Sequence, residues 1–187
     1  RCGTLKDKCK KKINCGACPE GECCSGNTCG ACLAFVTSTT HNGALGGLSG
    51  ADDICQGLAD TARLPGEYMA WLSDSTDSPS TRFVQATVPY TLVDGATIAD
   101  DWDDLTDGTI STAINLTELG EPAAGNTNVW TNTLPNGTPG GFEAGGDCAD
   151  WTSDFSGPLD SGNTGALSLA TNSWTKFSNK ECSLPLH

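Results

Sequence analysis

The sequence predicts an α+β domain with long loops over residues 33–187, preceded by a small disulfide-rich module over residues 1–32. Eight of the eleven cysteines fall within the first 32 residues. The remainder holds one amphipathic helical pattern, a few short β-rich runs and long stretches of Gly, Asn, Thr, Asp and Pro. A 32-residue segment buries too little apolar surface to fold by itself, so covalent or metal cross-links must stabilise it.

The cysteines of the N-terminal segment predict disulfides. The tetrapeptide Cys-Gly-Ala-Cys occurs at residues 15–18 and again at 29–32, and two such units could bind zinc. Four further cysteines and the lack of any histidine in the segment favour disulfides instead. The connectivity stays open, and the cysteines concerned are Cys2, Cys9, Cys15, Cys18, Cys23, Cys24, Cys29 and Cys32.

Disulfides and charge together predict a secreted or cell-surface protein. Residues 33–187 carry twenty Asp and Glu but only four Lys and Arg, and the whole chain has a net charge of −13. Such acidity disfavours nucleic acid as a partner, because phosphate binding depends on Lys and Arg. No apolar run approaches the roughly 20 residues of a membrane helix, so we expect no membrane insertion. A chain that begins at Arg1 is expected to be a mature or trimmed form.

The first elements of the large domain are predicted as a strand, a turn and a helix. The β-branched run over residues 34–39 predicts a strand that ends at a turn over 41–43. Ser49 is a candidate N-cap, with Asp52 and Asp53 in the first turn of a helix whose apolar residues recur at helical spacing. The Leu-Pro-Gly sequence at 64–66 ends it.

Short strands and long loops are predicted for the rest. Residues 67–73 read as a strand buried on both faces, and Asp94-Gly95 joins the two arms of a hairpin. The loops over 100–165 should be anchored by large aromatic side chains. The acidic run around Trp102 is an alternative EF-hand loop, but it lacks oxygen ligands at required positions, so we interpret it as an acidic turn with a core-directed tryptophan. The four expected anchors are Trp130, Phe142, Trp151 and Phe155.

Two parts of the sequence resemble known families. Residues 2–9 (CGTLKDKC) and 15–23 (CGACPEGEC) resemble short cysteine-rich modules of secreted myxobacterial proteins. Nearly all of residues 34–187 resembles a bacterial family of extracellular domains of unknown function with an endostatin-like, C-type-lectin-like fold. The matching segments include residues 35–40 (FVTSTT), 46–56 (GGLSGADDICQ), 70–75 (AWLSDS), 93–95 (VDG), 129–131 (VWT) and 148–153 (CADWTS).

The resemblance implies a disulfide scheme. In C-type-lectin-like domains an inner cysteine pair closes the long-loop end, and Cys148 and Cys182 fit it. Cys55 corresponds to a cysteine of the first helix, whose usual partner lies at the end of a final strand. The chain ends about where that strand would begin, so we expect it to be C-terminally incomplete. Alternatively, Cys55 bonds to another chain, or a strand is lent between subunits.

The resemblance also directs attention to calcium and sugars. Glu121-Pro122 matches part of the family's calcium motif, but Trp174-Thr175-Lys176 places a lysine where an acidic ligand would stand. A different Ca²⁺ cage could use Glu118, Glu121, Asn126, Asp147 and Asp150. Aromatic faces stack on sugars, although tryptophans more often form a core. The candidate ligand-binding residues are Glu121, Asn126, Asn128, Trp130 and Trp174.

These features favour a non-catalytic role. The only histidines are His41, beside a turn, and His187, so a Ser-His-Asp or Cys-His site lacks a placed base. We therefore predict a secreted or cell-surface recognition module that binds a glycan or an extracellular protein through its long loops. The alternative is a structural subunit of an extracellular filament or surface layer, which would form a homo-oligomer.

Overall fold

The structure, a computed structural model, describes residues 4–6, 12–14, 18, 21–25, 28–141, 146–157 and 160–187. It is of the mixed α+β class, with few helices and small sheets. The helices are α1 (Gly47–Ala62), α2 (Pro79–Arg82), α3 (Trp102–Leu105) and α4 (Cys148–Trp151), followed by a 3-10 helix at Asn172–Trp174. The strands are β1 (Thr4–Lys6), β2 (Lys12–Asn14), β3 (Cys23–Ser25), β4 (Thr28–Gly30), β5 (Cys32–Leu33), β6 (Tyr90–Thr91), β7 (Thr97–Ala99), β8 (Asn128–Trp130), β9 (Ser161–Ala166) and β10 (Ser178–Glu181).

Two three-stranded sheets organise the large domain. In the first, β5 pairs parallel with β6, and β6 pairs antiparallel with β7. In the second, the order is β10-β9-β8 and both pairings are antiparallel. The hairpin predicted around Asp94-Gly95 is confirmed, since Gly95 has φ 90° and its N–H donates to the carbonyl of Leu92 at 2.9 Å. The N-terminal segment holds the separate pairs β1-β2 and β3-β4.

The cysteine-rich segment is joined to the large domain by a strand. Disulfides link Cys18 to Cys29 and Cys23 to Cys32, so these four cysteines are not available as zinc ligands. Cys32 belongs to β5, which lies beside β6, and the predicted domain boundary therefore falls inside a strand. Only the backbone of Cys24 is described. Three other cysteines that we predict to form disulfides lie outside the described residues: Cys2, Cys9 and Cys15.

Helix α1 begins at Gly47, and the prediction of Ser49 as its N-cap is wrong. The N-cap is Gly46, whose φ of 84° lies in the left-handed region that favours glycine. Asp52 and Asp53 consequently fall in the second turn. The predicted end is confirmed, because Arg63 caps the helix in a left-handed conformation just before Leu64.

Residues 67–73 are irregular, so the predicted strand there is wrong. Side chains of α1 take the place of a neighbouring strand as hydrogen-bond partners. The N–H of Tyr68 donates to Gln56 Oε1 at 2.9 Å, and that of Ala70 donates to Asp52 Oδ1 at 2.8 Å. Both faces of this strand were expected to be buried, but Met69 is exposed. The apolar residues of this segment thus predicted some of its buried side chains, but they did not predict what its backbone N–H groups would bind.

The strand predicted over residues 34–39 is largely wrong as well. Regular pairing stops at Leu33, and beyond it Val36 forms a single bridge with Thr117. Strand β6, the partner of β5, is only two residues long, so it cannot support a longer ladder. Residues 34–37 therefore form no regular ladder. The N–H groups of Ala34 and Val36 donate to the carbonyls of Thr91 and Leu116, whereas the backbone of Phe35 makes no hydrogen bond to a described residue.

Two buried clusters form the core and contain most of the tryptophans. The first lies under β5-β6-β7 and includes Trp102 and Trp174, against which the half-buried Trp71 packs. The second joins α1 to β8 and α4, where the rings of Trp130 and Trp151 lie 5.8 Å apart. The interpretation of Trp102 as core-directed is confirmed. The prediction that Phe155 anchors a loop is wrong, because this side chain is 72% exposed. Phe142, another expected anchor, lies outside the described residues.

Candidate functional site

Three of the five predicted ligand-binding side chains are buried in the packing. Trp130 is 6% exposed, and its indole N–H donates to the carbonyl of His41 at 2.9 Å. Trp174 is equally buried, in contact with Trp71, and Asn128 is 7% exposed. A sugar can stack only on an accessible aromatic face. These side chains therefore offer no exposed face for a sugar, and the prediction that Asn128, Trp130 and Trp174 contact a ligand stays a prediction.

The other two predicted ligand residues lie on an exposed loop. Glu121 and Asn126 are exposed, on either side of Pro122, which bridges back to Leu116. Neighbouring Glu118 points inward instead: it is 4% exposed and accepts a hydrogen bond from the N–H of Ser38 at 2.9 Å. Glu118 therefore fixes the loop to the extended segment 34–38.

The remaining members of the predicted calcium cage are Asp147, the N-cap of α4, and Asp150, which lies within α4. The carboxylate of Asp147 accepts from the N–H of Asp150, and that of Asp150 accepts from the N–H of Ser75 at 2.9 Å. Burial raises the pKa of Asp147, whereas the hydrogen bond from Ser75 lowers the pKa of Asp150. Within the described parts of the chain, no three Asp, Glu, His or Cys side chains form a group that could hold a metal ion. The five cage residues are thus not brought together.

Helix α4 is a left-handed turn. Its four residues have φ between 51° and 62°, a region that L-residues other than glycine rarely adopt in succession. Three contacts stabilise it: the disulfide from Cys148 to Cys182, the Asp147 cap, and the indole N–H of Trp151, which donates to the carbonyl of Ser73 at 2.9 Å. The family resemblance implied this pairing of Cys148 with Cys182.

Both histidines have structural contacts. His41 Nε2 lies 2.8 Å from the hydroxyl oxygen of Thr39. The ring nitrogens of His187 lie 2.7 Å from the carbonyl oxygen of Thr37 and 3.2 Å from that of Ala124. Burial, and secondarily the charge of His187, lowers the pKa of His41. Each imidazole thus positions a loop of the protein.

One concave feature is a mainly apolar cleft, which we call the strand cleft. Residues 33–37 and 129–131 both line it, and the cavity measures about 1170 Å³. Helix α1 supplies one wall through Ala51, Ile54 and Cys55. The buried residues Tyr90, Ile98 and Trp174 also border it.

Cys55 lines this cleft as a free thiol. Burial, and then the negative charges of Asp52 and Glu118, raises the pKa of Cys55 to about 12. The thiol is therefore protonated at neutral pH and behaves as part of an apolar wall. The sequence singled out Cys55 as unpaired, but nothing in its local pattern indicated that it faces a cleft.

The acidic rim of the cleft is a second feature that the sequence did not predict. Glu22, Asp60 and Glu67 lie along its edge, contributed by three segments distant in sequence. Residues 33–37 and 129–131 also lie far apart in the sequence. The sequence shows that both segments contain apolar residues, but it does not show that they line the same cleft.

None of the helices in the described part of the chain is long and apolar enough to cross a membrane. No protein-family model and no curated protein matches this sequence.

Proposed function

We propose that the protein is a non-catalytic recognition module of the extracellular space, with a C-type-lectin-like domain whose ligand is a protein segment bound in the strand cleft. The observation that carries the proposal is the cleft itself, an apolar cavity of about 1170 Å³. Cavities that hold small molecules commonly measure about 300–1,000 Å³. A cavity above this range, bounded by two strand-like segments, suits a peptide chain.

Two observations support the extracellular and lectin-like parts of the proposal. The disulfides Cys18–Cys29, Cys23–Cys32 and Cys148–Cys182 are of the kind that persists in oxidising compartments. A single long helix, α1, followed by short strands and long loops closed by Cys148–Cys182 agrees with the architecture that the resemblance implied. The fold class alone assigns no ligand.

The buried tryptophans favour a protein ligand over a glycan. Of the residues expected to bind a sugar, only Glu121 and Asn126 are exposed, and neither offers an aromatic platform. The cage expected for Ca²⁺ is split between the Glu118–Glu121 loop and α4. We therefore expect recognition that does not depend on Ca²⁺.

The test is a parallel selection on glycans and on displayed peptides. The full chain, immobilised with its disulfides intact, is expected to enrich apolar peptides from a random library and to bind no glycan on an array, with or without EDTA. A reduced and alkylated sample is the control for folding. Glycan binding that EDTA abolishes would contradict the proposal and would favour a calcium-dependent lectin.

A second candidate function is a structural subunit of an extracellular filament or surface layer. The observation that favours it is the free Cys55 thiol in a cleft that can accept a strand, since subunits that exchange strands use such clefts. Sedimentation of the non-reduced protein separates the two functions. A recognition module should sediment as a monomer or small oligomer, and a filament subunit should form particles that grow with concentration.

A further inference from the structure

The dipeptide Asn-Gly has a side chain that can react with the main chain next to it. Glycine has no Cβ atom, so its nitrogen can approach the asparagine carboxamide closely. The dipeptide occurs twice in this sequence, at Asn42-Gly43 and at Asn136-Gly137. The reacting groups are the same at both places, so the surroundings decide which of the two reacts.

Asn136-Gly137 lies in a tight turn at the surface. Thr133 bridges to Pro139, and the N–H of Gly137 donates to the carbonyl of Leu134 at 2.9 Å, which closes the turn. Asn136 is exposed. The hydrogen bond that holds the Gly137 nitrogen is therefore local, and an opening of the turn alone releases it.

Thr138 prepares the carboxamide of Asn136 for attack. Oδ1 of Asn136 accepts a hydrogen bond from the N–H of Thr138 at 3.2 Å and another from its hydroxyl group at 2.7 Å. A nucleophile that adds to the carboxamide carbon places negative charge on this oxygen. Donors that are already in position stabilise such a charge, as they do in an oxyanion hole.

Asn42-Gly43 has the opposite surroundings. The N–H of Gly43 donates to the carbonyl of Cys182 at 2.7 Å, a partner far away in the sequence. Gly43 is buried, and a Cβ atom added to it would lie 2.5 Å from Sγ of Cys148. A ring that closes on this nitrogen needs space that is not there. Residues 41–43 would have to detach from the Cys148–Cys182 disulfide before the reaction could start.

We propose that Asn136 is a self-modification site, which the folded protein converts to aspartate and isoaspartate with Thr138 stabilising the oxyanion. The Gly137 nitrogen loses its proton to solvent base and forms a bond to Cγ of Asn136. The bond from Cγ to Nδ2 breaks, and Nδ2 takes up a proton and leaves as ammonia. Water then opens the cyclic imide at one of its two carbonyl carbons. The sum is one carboxamide and one water converted to one carboxyl group and ammonia, with no oxidation or reduction.

The two products differ in their effect on the fold. Aspartate adds a negative charge to an exposed turn and keeps Oδ1 as an acceptor for Thr138. Isoaspartate adds one carbon atom to the main chain before Gly137. The carbonyl of Gly137 accepts from the N–H of Ser80 in α2 at 2.9 Å, and a Cβ atom added to Gly137 would lie 3.2 Å from Cζ2 of Trp102. Isoaspartate should therefore loosen the contact of this turn with α2 and the first core cluster.

The experiment compares the two Asn-Gly sites in one sample. The full chain, with its disulfides intact, is incubated in mildly alkaline heavy-oxygen water, digested with pepsin at acid pH and analysed by mass spectrometry. Heavy oxygen in the new carboxyl group marks conversion that took place during the incubation. We expect Asn136 to convert at least about tenfold faster than Asn42, because Gly43 is protected by tertiary structure. Native conversion of Asn136 that is no faster than that of Asn42 would overturn the proposal.

Unfolded protein is the control for the local sequence. After reduction and transfer to guanidinium, both sites lose the surroundings that distinguish them, and we expect similar rates. A preference for Asn136 that is as large in guanidinium as in the native protein would show that the fold does not select this site, and would overturn the proposal.

Two matched variants test the role of Thr138. Thr138→Val removes the hydroxyl donor and keeps the shape, and it should slow native conversion of Asn136 at least about threefold. Thr109→Val removes the equivalent donor to Asp107, at the other Asx-Gly-Thr turn, and should leave the rate at Asn136 unchanged. Conversion at Asn42 reports whether either variant loosens the fold, since it would then rise. A native rate at Asn136 that Thr138→Val leaves unchanged would overturn the assigned stabilisation.

The inference does not depend on the proposed function. It concerns a turn outside the strand cleft, and its outcome is a chemical change in the chain itself. The isoaspartate product, separated by chromatography, should unfold at a lower urea concentration than the unmodified protein.

Discussion

The Nδ1 atom of His187 lies 2.7 Å from the carbonyl oxygen of Thr37, and both residues line the strand cleft. The main chain of His187 is at the same time hydrogen-bonded to Asn128 and Trp130 of β8. The imidazole therefore has a fixed place beside the neighbouring segment 37–41. Its charge contributes to the lowered pKa of His41.

Stability should fall as the pH drops below about 6.5, because of His41. Burial, followed by the charge of His187, lowers the pKa of His41 from its ordinary value of 6.5. Between the lowered pKa and 6.5 the unfolded chain binds more protons than the folded one, so folding is weakened as the pH falls through that window. Urea unfolding at about pH 7.5 and about pH 5.5 measures the loss.

His41→Gln is expected to reduce this pH dependence, since glutamine does not titrate. His187→Gln should reduce it by a smaller amount, because burial is the larger cause of the shift. If both variants keep the full loss of stability between the two pH values, the dependence does not arise from His41.

Ala149→Gly is expected to stabilise the protein by about 1 kcal/mol. Ala149 is exposed and has φ 56°, where a Cβ atom is unfavourable and glycine is not. The matched change is Gly57→Ala in α1, where no atom lies within 4 Å of the added Cβ, and it should stabilise by about 0.5–1 kcal/mol. Denaturant unfolding of the two variants measures both effects. Destabilisation by Ala149→Gly would contradict the left-handed turn.

The Cys55 thiol should react slowly in the folded protein. With its pKa at about 12, the thiolate at pH 8 is a far smaller fraction than in a free cysteine of pKa ~8.5. We expect alkylation by iodoacetamide to be at least about a hundredfold slower in the native protein than in guanidinium. Mass spectrometry of the peptide that contains Cys55, without reduction, gives both rates. Equal rates would show that the thiol is not buried in the wall of the cleft.

Loss of the Cys148–Cys182 disulfide should destabilise the domain by about 4 kcal/mol, from the loop of 34 residues that it closes. The double change to alanine, Cys148→Ala with Cys182→Ala, avoids leaving one reactive thiol. Both residues are fully buried, so imperfect packing adds to the cost. A midpoint of unfolding unchanged from that of the parent protein would contradict the assigned pairing.

Local signals in the sequence predicted local structure well. The end of α1 and the hairpin at Asp94-Gly95 depend on neighbouring residues alone, and both are confirmed. The strand predicted over residues 67–73 failed because its donors bind Gln56 and Asp52, whose approach is a tertiary feature. The β-propensity of a segment shows that it can form a strand, but whether it does so depends on the groups that its backbone meets in the folded protein.

The candidate site was less predictable for the same reason. Tryptophan serves both cores and binding surfaces, so the sequence alone does not separate these roles for Trp130 and Trp174, and only the packing shows that they are buried. The strand cleft is made by segments almost one hundred residues apart, Leu33–Thr37 and Val129–Thr131. No local pattern reports that these two segments line one cavity.

The exchange rate of the Phe35 amide tests the strand cleft most directly. This N–H has no hydrogen-bond partner among the described residues, and Phe35 lines the cleft. When an apolar peptide enriched in the selection is added at saturation, we predict that hydrogen exchange at Phe35, followed by NMR, slows at least about tenfold, while exchange at Leu119 does not change. An unchanged rate at Phe35 with the peptide bound would contradict the account, because a strand in the cleft must accept this hydrogen bond.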